Sequence, residues 1–133
     1  VLKSFFGVEL RSTSVNVAKV ILEERYGKCL YEFKPSNSAD SHSLTFKVFW
    51  YDQPVTAGFY FKNFNGKWLL DWINIECDAN AIRCIVNQLN RDFGKGDSEN
   101  DCKGVWGATV EGKAYAIETA YYGRIEGFHI RSN

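Results

Sequence analysis

The chain has 133 residues, 45% of them hydrophobic and 16% aromatic, with 16 Lys plus Arg balanced by 16 Asp plus Glu. That length suits one domain, and that apolar content supports a packed core and excludes a disordered chain. Zero net charge without a basic stripe excludes the electrostatic footprint of a nucleic-acid binder, and no apolar run is long enough to cross a bilayer as a helix.

VLKSFFGVEL opens the chain as a short apolar segment leading to a helix. Ser12-Thr13-Ser14 offers hydroxyl caps, and Val17, Val20, Ile21 and Tyr26 recur at helical spacing among Glu23, Glu24 and Arg25. With Gly27 as a left-handed stop, the pattern predicts a helix over about 14–26. CLYEFKP reads as a strand, closed by Pro35 and the polar loop SNSADSHS.

From Leu44 to Cys77 the period changes to two. Leu44, Phe46, Val48 and Trp50 alternate with Thr45, Lys47, Phe49 and Tyr51, and Asp52-Gln53-Pro54 turns the chain. Val55, Ala57, Phe59 and Phe61 then alternate with Thr56, Gly58, Tyr60 and Lys62. Asn63-Phe64-Asn65-Gly66 contains the Asn-Gly pair that signals a hairpin, and Trp68 to Cys77 makes a third strand of an antiparallel meander. A second helix follows, capped by Asp78, striped by Ile82, Ile85, Val86, Leu89 and Phe93, and stopped by Gly94. After the loop GKGDSENDCKG come strands over 104–110, 113–122 and 125–131, with Glu111-Gly112 and Tyr122-Gly123 at the reversals.

Four cysteines, Cys29, Cys77, Cys84 and Cys102, lie 48, 7 and 18 residues apart. They include no CxxC pair, so neither a metal site nor any cofactor is predicted. The even count suggests up to two disulfides and an oxidising compartment, the alternative being four buried free thiols. The chain has no Met, at position 1 or elsewhere, which fits a mature protein whose leader is gone and predicts a periplasmic or extracellular location. An engineered start would look the same.

Slid on itself by 67 positions, VELRSTSVNVAKVILEERYGK (8–28) falls on IECDANAIRCIVNQLNRDFGK (75–95). Glu9 meets Glu76, Leu22 meets Leu89, Tyr26 meets Phe93, and Gly27-Lys28 meets Gly94-Lys95. The match suggests one domain built from an internal repeat, about 5–70 and 71–133, although two unrelated amphipathic helices with glycine stops would align similarly. FFGVEL…VAKVILEERYGK followed by INIECDANAIRCIVNQLNRDFGK resembles the tandem units of β-lactamase-inhibitory-protein-like domains. It is also similar to small secreted or periplasmic proteins of Bacteroides-type bacteria with no assigned activity. The resemblance implies two helix-plus-strands units sharing one sheet, with an open face free to bind.

No nucleophile elbow, zincin, Walker or dinucleotide motif is present, so no catalytic residue is assigned. His42 lies in a polar loop and reads as solvated, while His129 lies between Phe128 and Ile130 and points away from both. Glu118, in AYAIETAYY, is either a base with a raised pKa in an aromatic pocket or a strand residue facing water.

The fold predicted is α+β, with two helices on one face of a curved antiparallel sheet of about six to eight strands. Phe46, Val48, Phe59, Phe61, Leu69, Ile73 and Ile75 then face the helices, and Phe49, Tyr51, Tyr60, Trp68 and Trp72 share the opposite face with Lys47, Lys62 and Asn74. Aromatic residues with charged relief compose protein interfaces and sugar-stacking surfaces. An exported, non-enzymatic binding module is therefore expected, with a protein as partner ahead of a small molecule. The alternatives are a cystatin-like, cone-shaped carrier or enzyme with a pocket lined by Glu118, Tyr121 and Trp72, and an assembly subunit that buries the aromatic face against itself.

Overall fold

In the computed structural model, which describes residues 5–36, 40–94, 104–110, 112–122 and 125–132, turn chemistry sets the sheet. Strand β2 (Ser41–Trp50) reverses through Tyr51 and Asp52, both at positive φ (49° and 62°), into β3 (Gln53–Phe64). The two-residue, mirror-image turn matches the twist of the strands it joins. It is one residue tighter than the Asp52-Gln53-Pro54 turn expected, because Trp50 already pairs with Gln53. Pro54 is tolerated inside β3 because it lies beyond the last β3–β4 pair, Thr56 with Glu76, where no ladder partner needs its missing N–H. Asn65 (φ 54°) and Gly66 (φ 89°) make a second such turn into β4 (Lys67–Cys77), pinned by Asn63 Oδ1 accepting from the Gly66 N–H at 2.7 Å.

The three-residue edge strand β1 (Tyr31–Phe33) pairs with β2, and β5 (Val105–Val110), β6 (Lys113–Tyr122) and β7 (Ile125–Ser132) form a second meander. Their order, β1-β2-β3-β4-β7-β6-β5, makes one seven-stranded, wholly antiparallel open sheet among the described residues. With its two helices, the chain is the α+β fold its sequence predicts. The meanders meet where β4 pairs with β7. Gly127 is obligatory there, since a Cβ at that position would fall onto the Ile75 carbonyl of β4.

Helices α1 (Val15–Tyr26) and α2 (Ala79–Phe93) pack on one side of the sheet. Ser14 caps α1, and the Asp78 carboxylate caps α2 by accepting from the Ala81 N–H at 2.8 Å. The predicted α2 stripe is the buried one. In α1 the buried face is Val15, Ala18 and Leu22, while Val17 and Val20, expected inside, are 53% and 59% exposed. Both sets have helical spacing, so the packing of α1 on β2 and β4 decides which is buried. The segment Phe5–Leu10 fills the space beside the helices, with Phe6 against Tyr26, Trp50 and Phe59 and Phe5 edge-on to Tyr115.

The helix ends agree with the 67-residue offset, since Gly27 and Gly94 both take positive φ, but the starts do not. Val8–Ser14 turns, whereas the positions aligned with it run from strand β4 into a helix already begun at Ala79. Among the described residues no disulfide forms, against the expectation of up to two. Cys29 is a free thiol near the Tyr31 and Thr45 carbonyls and Cys84 an exposed one; Cys102 lies outside the described residues.

Candidate functional site

Among the described residues, strand alternation leaves one sheet face without a helix. Register lines its side chains into rows that cross the strands. One row runs Tyr31, Thr45, Gly58, Asn74, His129, Glu118, Val105, and its neighbour runs Phe33, Ser43, Tyr60, Trp72, Arg131, Ala116.

At the centre, Tyr60 and Trp72 stack face to face, with ring centroids 4.9 Å apart and 8° between their planes. Gly58 makes room for this arrangement, because a Cβ there would press on the Tyr60 ring at 3.0 Å. The stack forms a ridge between two open clefts. A cleft of about 340 Å³ is lined by Tyr31, Thr45, Thr56, Gly58, Tyr60, Asn74 and Glu76. On the other side, about 380 Å³ is bounded by Arg11, Asp71, Trp72, His129, Arg131 and Ser132.

A bulge creates the second cleft. Register shifts between Tyr60, opposite Trp72, and Phe61, opposite Leu70, so Asp71 is an extra residue in β4. Before the bulge β4 bonds to the turn segment, Arg11 N–H to Leu70 O at 2.6 Å and Leu70 N–H to Thr13 O at 2.9 Å; beyond it, β4 pairs with β7. The cleft occupies this fork. Arg11 Nε lies 3.0 Å from Asp71 Oδ1, and Arg131 Nε is 3.7 Å from Glu118 Oε1. His129 Nδ1 lies 2.7 Å from Asn74 Oδ1, and burial lowers the His129 pKa below its usual value against the opposing pull of Glu118.

Of the five residues expected to share this face, three do. Phe49 is 64% exposed, while Tyr60 and Trp72 form the ridge. Trp68 is turned to the helix side, packed against the core, because the bulge reverses alternation below Trp72; for the same reason Leu70 is buried in place of the expected Leu69. Tyr51 sits in the β2–β3 turn and also packs against the core, where its hydroxyl donates to Asp92 Oδ2 of α2 at 2.8 Å; burial and Asp92 push its pKa up.

His42 is not in a loop, because β2 begins at Ser41. Its Nε2 is 2.8 Å from Glu32, whose other oxygen meets Lys19 of α1 at 2.8 Å, and these partners hold the Glu32 carboxyl below its usual pKa. His129 does point away from Phe128 and Ile130, which are buried. Glu118 stands beside Arg131 with its side chain 37% exposed rather than in an aromatic pocket; the Tyr121 side chain lies outside the described residues.

Arg11, Asp71 and Arg131 carried no local sign of a shared site, since it takes the bulge and the β4–β7 pairing to join them. Tyr31 and Phe33, 63% and 66% exposed, were legible only as a strand. Among the described residues no cluster of three or more His, Cys, Asp or Glu could hold a metal ion, and no helix is long and apolar enough to cross a membrane. Comparison with protein-family models, curated proteins and solved structures finds no match.

Proposed function

We propose that the protein is a non-enzymatic binding module that engages a protein partner through the helix-free face of its sheet. The observation that carries this is the exposure of Tyr31, Phe33 and Phe49, each more than 60% accessible on a face where Lys47 and Glu76 supply charged relief. Aromatic rings are enriched at the cores of protein interfaces, and polar or charged residues form the rim around them. A cone-shaped carrier would need an enclosed apolar cavity, whereas both clefts beside the ridge are open to solvent. The free thiols of Cys29 and Cys84 remove the cysteine argument for export, so the proposal stands on the face alone.

A benzophenone photo-crosslinker placed at Phe33, at Phe49 and, as control, at Val20 on the outer side of α1 tests it in an extract of the native source. One discrete heterologous adduct from both open-face positions and none from Val20 is the expected result. Equal labelling from Val20, or no adduct from either phenylalanine site, rejects the proposal. An adduct of twice the chain mass replaces it with self-assembly.

A further inference from the structure

We infer that the forked cleft beside Trp72 is a binding site for an uncharged pyranose ring of a saccharide. This goes beyond the protein-binding proposal and rests on other residues, since Tyr31, Phe33 and Phe49 do not line this cleft.

A polyhydroxy ring has two demands. Its C–H surface needs an apolar plate, and each hydroxyl needs both a donor and an acceptor. Trp72 supplies the plate: Tyr60 covers one face of the indole, fixing its orientation, and the remainder borders the cleft. The guanidiniums of Arg11 and Arg131 only donate, the Asp71 carboxylate only accepts, and the Ser132 hydroxyl does both. His129 completes the set. The Asn74 oxygen beside Nδ1 can only accept, so Nδ1 carries the proton and Nε2 remains an acceptor. Burial favours this neutral ring.

Charge selects against an anion. Arg11 and Arg131 face Asp71 and Glu118 respectively, so the two positive groups are matched by two negative ones. A phosphate or carboxylate would meet the Asp71 carboxylate that lines the cleft, and guanidiniums already paired with Asp71 and Glu118, whereas a neutral ring meets only their hydrogen-bonding capacity. The volume of about 380 Å³ lies within the range of small-ligand sites. The bulge at Asp71 places the acidic acceptor and the plate side by side, as bulges beside binding sites do.

Saturation-transfer NMR and tryptophan fluorescence titration of the full chain test the site. The probes are methyl glucopyranoside, methyl galactopyranoside, methyl mannopyranoside and N-acetylglucosamine, with glucuronate and AMP as charged comparators. At least one neutral sugar is expected to saturate, with Trp72→Ala abolishing the signal and Arg131→Ala weakening it by roughly tenfold or more. Phe49→Ala should leave it unchanged, which separates this site from the crosslinking surface. If Trp72→Ala fails to fold, Trp72→Phe serves in its place and should weaken binding while keeping it saturable. The inference is overturned if no neutral sugar saturates by about 50 mM, if binding survives Trp72→Ala or is as tight in Trp72→Phe as in the parent, or if a charged comparator binds more tightly than every neutral sugar.

Discussion

Strands β2, β3 and β4 carry two different kinds of information on their two faces. Towards the helices stand Leu44, Phe46, Val48, Ala57, Phe59, Phe61, Ile73 and Ile75, each at most 1% exposed. Towards solvent the same strands present Lys47, Phe49, Thr56, Tyr60, Trp72, Asn74 and Glu76, all partly or fully accessible. The first face is specified by volume, since close packing couples each side chain to its neighbours. The second is specified by chemistry and shape: a stacked pair, a glycine that accommodates it, and a bulge that re-aims Asp71. The comparison teaches that stability and recognition are separable here by parity alone, and substitutions should sort accordingly.

The largest effect should come at neither face but in the seam that joins the meanders. In Gly127→Ala the added methyl meets the Ile75 backbone, which cannot swing aside as a side chain could. A loss of about 4 kcal/mol or more, or failure to fold, is expected from urea denaturation. A loss under about 1 kcal/mol would mean that the β4–β7 seam opens at little cost.

Phe59 and Phe49 make the direct contrast, being the same residue type on neighbouring strands and opposite faces, 0% and 64% exposed. Phe59→Ala leaves a cavity under Phe6 and Phe46 and should cost about 3–5 kcal/mol. Phe49→Ala should stay within about 0.5 kcal/mol. Comparable losses at both sites would show that the open face is covered in solution, most simply by another copy of the chain. Val20→Lys on α1 is expected to stay within the same bound, about 0.5 kcal/mol of the parent, because the side chain is already 59% exposed. A large loss there would return Val20 to the buried stripe that its spacing suggested.

The same contrast explains what could be read from sequence. The α2 stripe, the Asn65-Gly66 turn and the alternation of β2 and β3 rest on local periodicity, and each lies where the pattern puts it. Trp68 was misplaced because one extra residue at Asp71 inverts everything before it, and nothing in KWLLDW marks that insertion. Tyr51 was misplaced because strand parity has no meaning in a turn. In α1, Ile21 and Tyr26 pack against the core as expected, but Val15, Ala18 and Leu22 are buried where Val17 and Val20 were expected; all are apolar, so only the packing partner decides between them. The ridge of Tyr60 and Trp72 was visible as two open-face aromatics. The cleft beside it was not, since Arg11, Asp71 and Arg131 are brought together by pairing across most of the chain.

The smallest effect expected is a pH dependence, and it distinguishes a polar site from a merely exposed one. His129 sits among Asn74 and Asp71 of β4, Glu118 of β6 and Arg131 of its own strand, and its folded pKa lies below the ordinary 6.5 because burial disfavours the charged ring. As pH falls, the unfolded chain takes up this proton first, so protonation favours unfolding. The contribution is therefore fully present above 6.5 and is lost as pH falls through the folded value. Glu32 acts in the same direction, but its loss begins only as pH falls below its ordinary 4.5 rather than below 6.5. Urea titrations across the range below 6.5 should show stability declining in the parent and a flatter profile in His129→Gln, which keeps a side chain able to reach Asn74. If both profiles fall equally, His129 is as hydrated in the folded chain as in the unfolded one. The hydrogen-bonded Asn74–His129 pair would then be open to water, and the fixed acceptor on which the cleft depends would be lost.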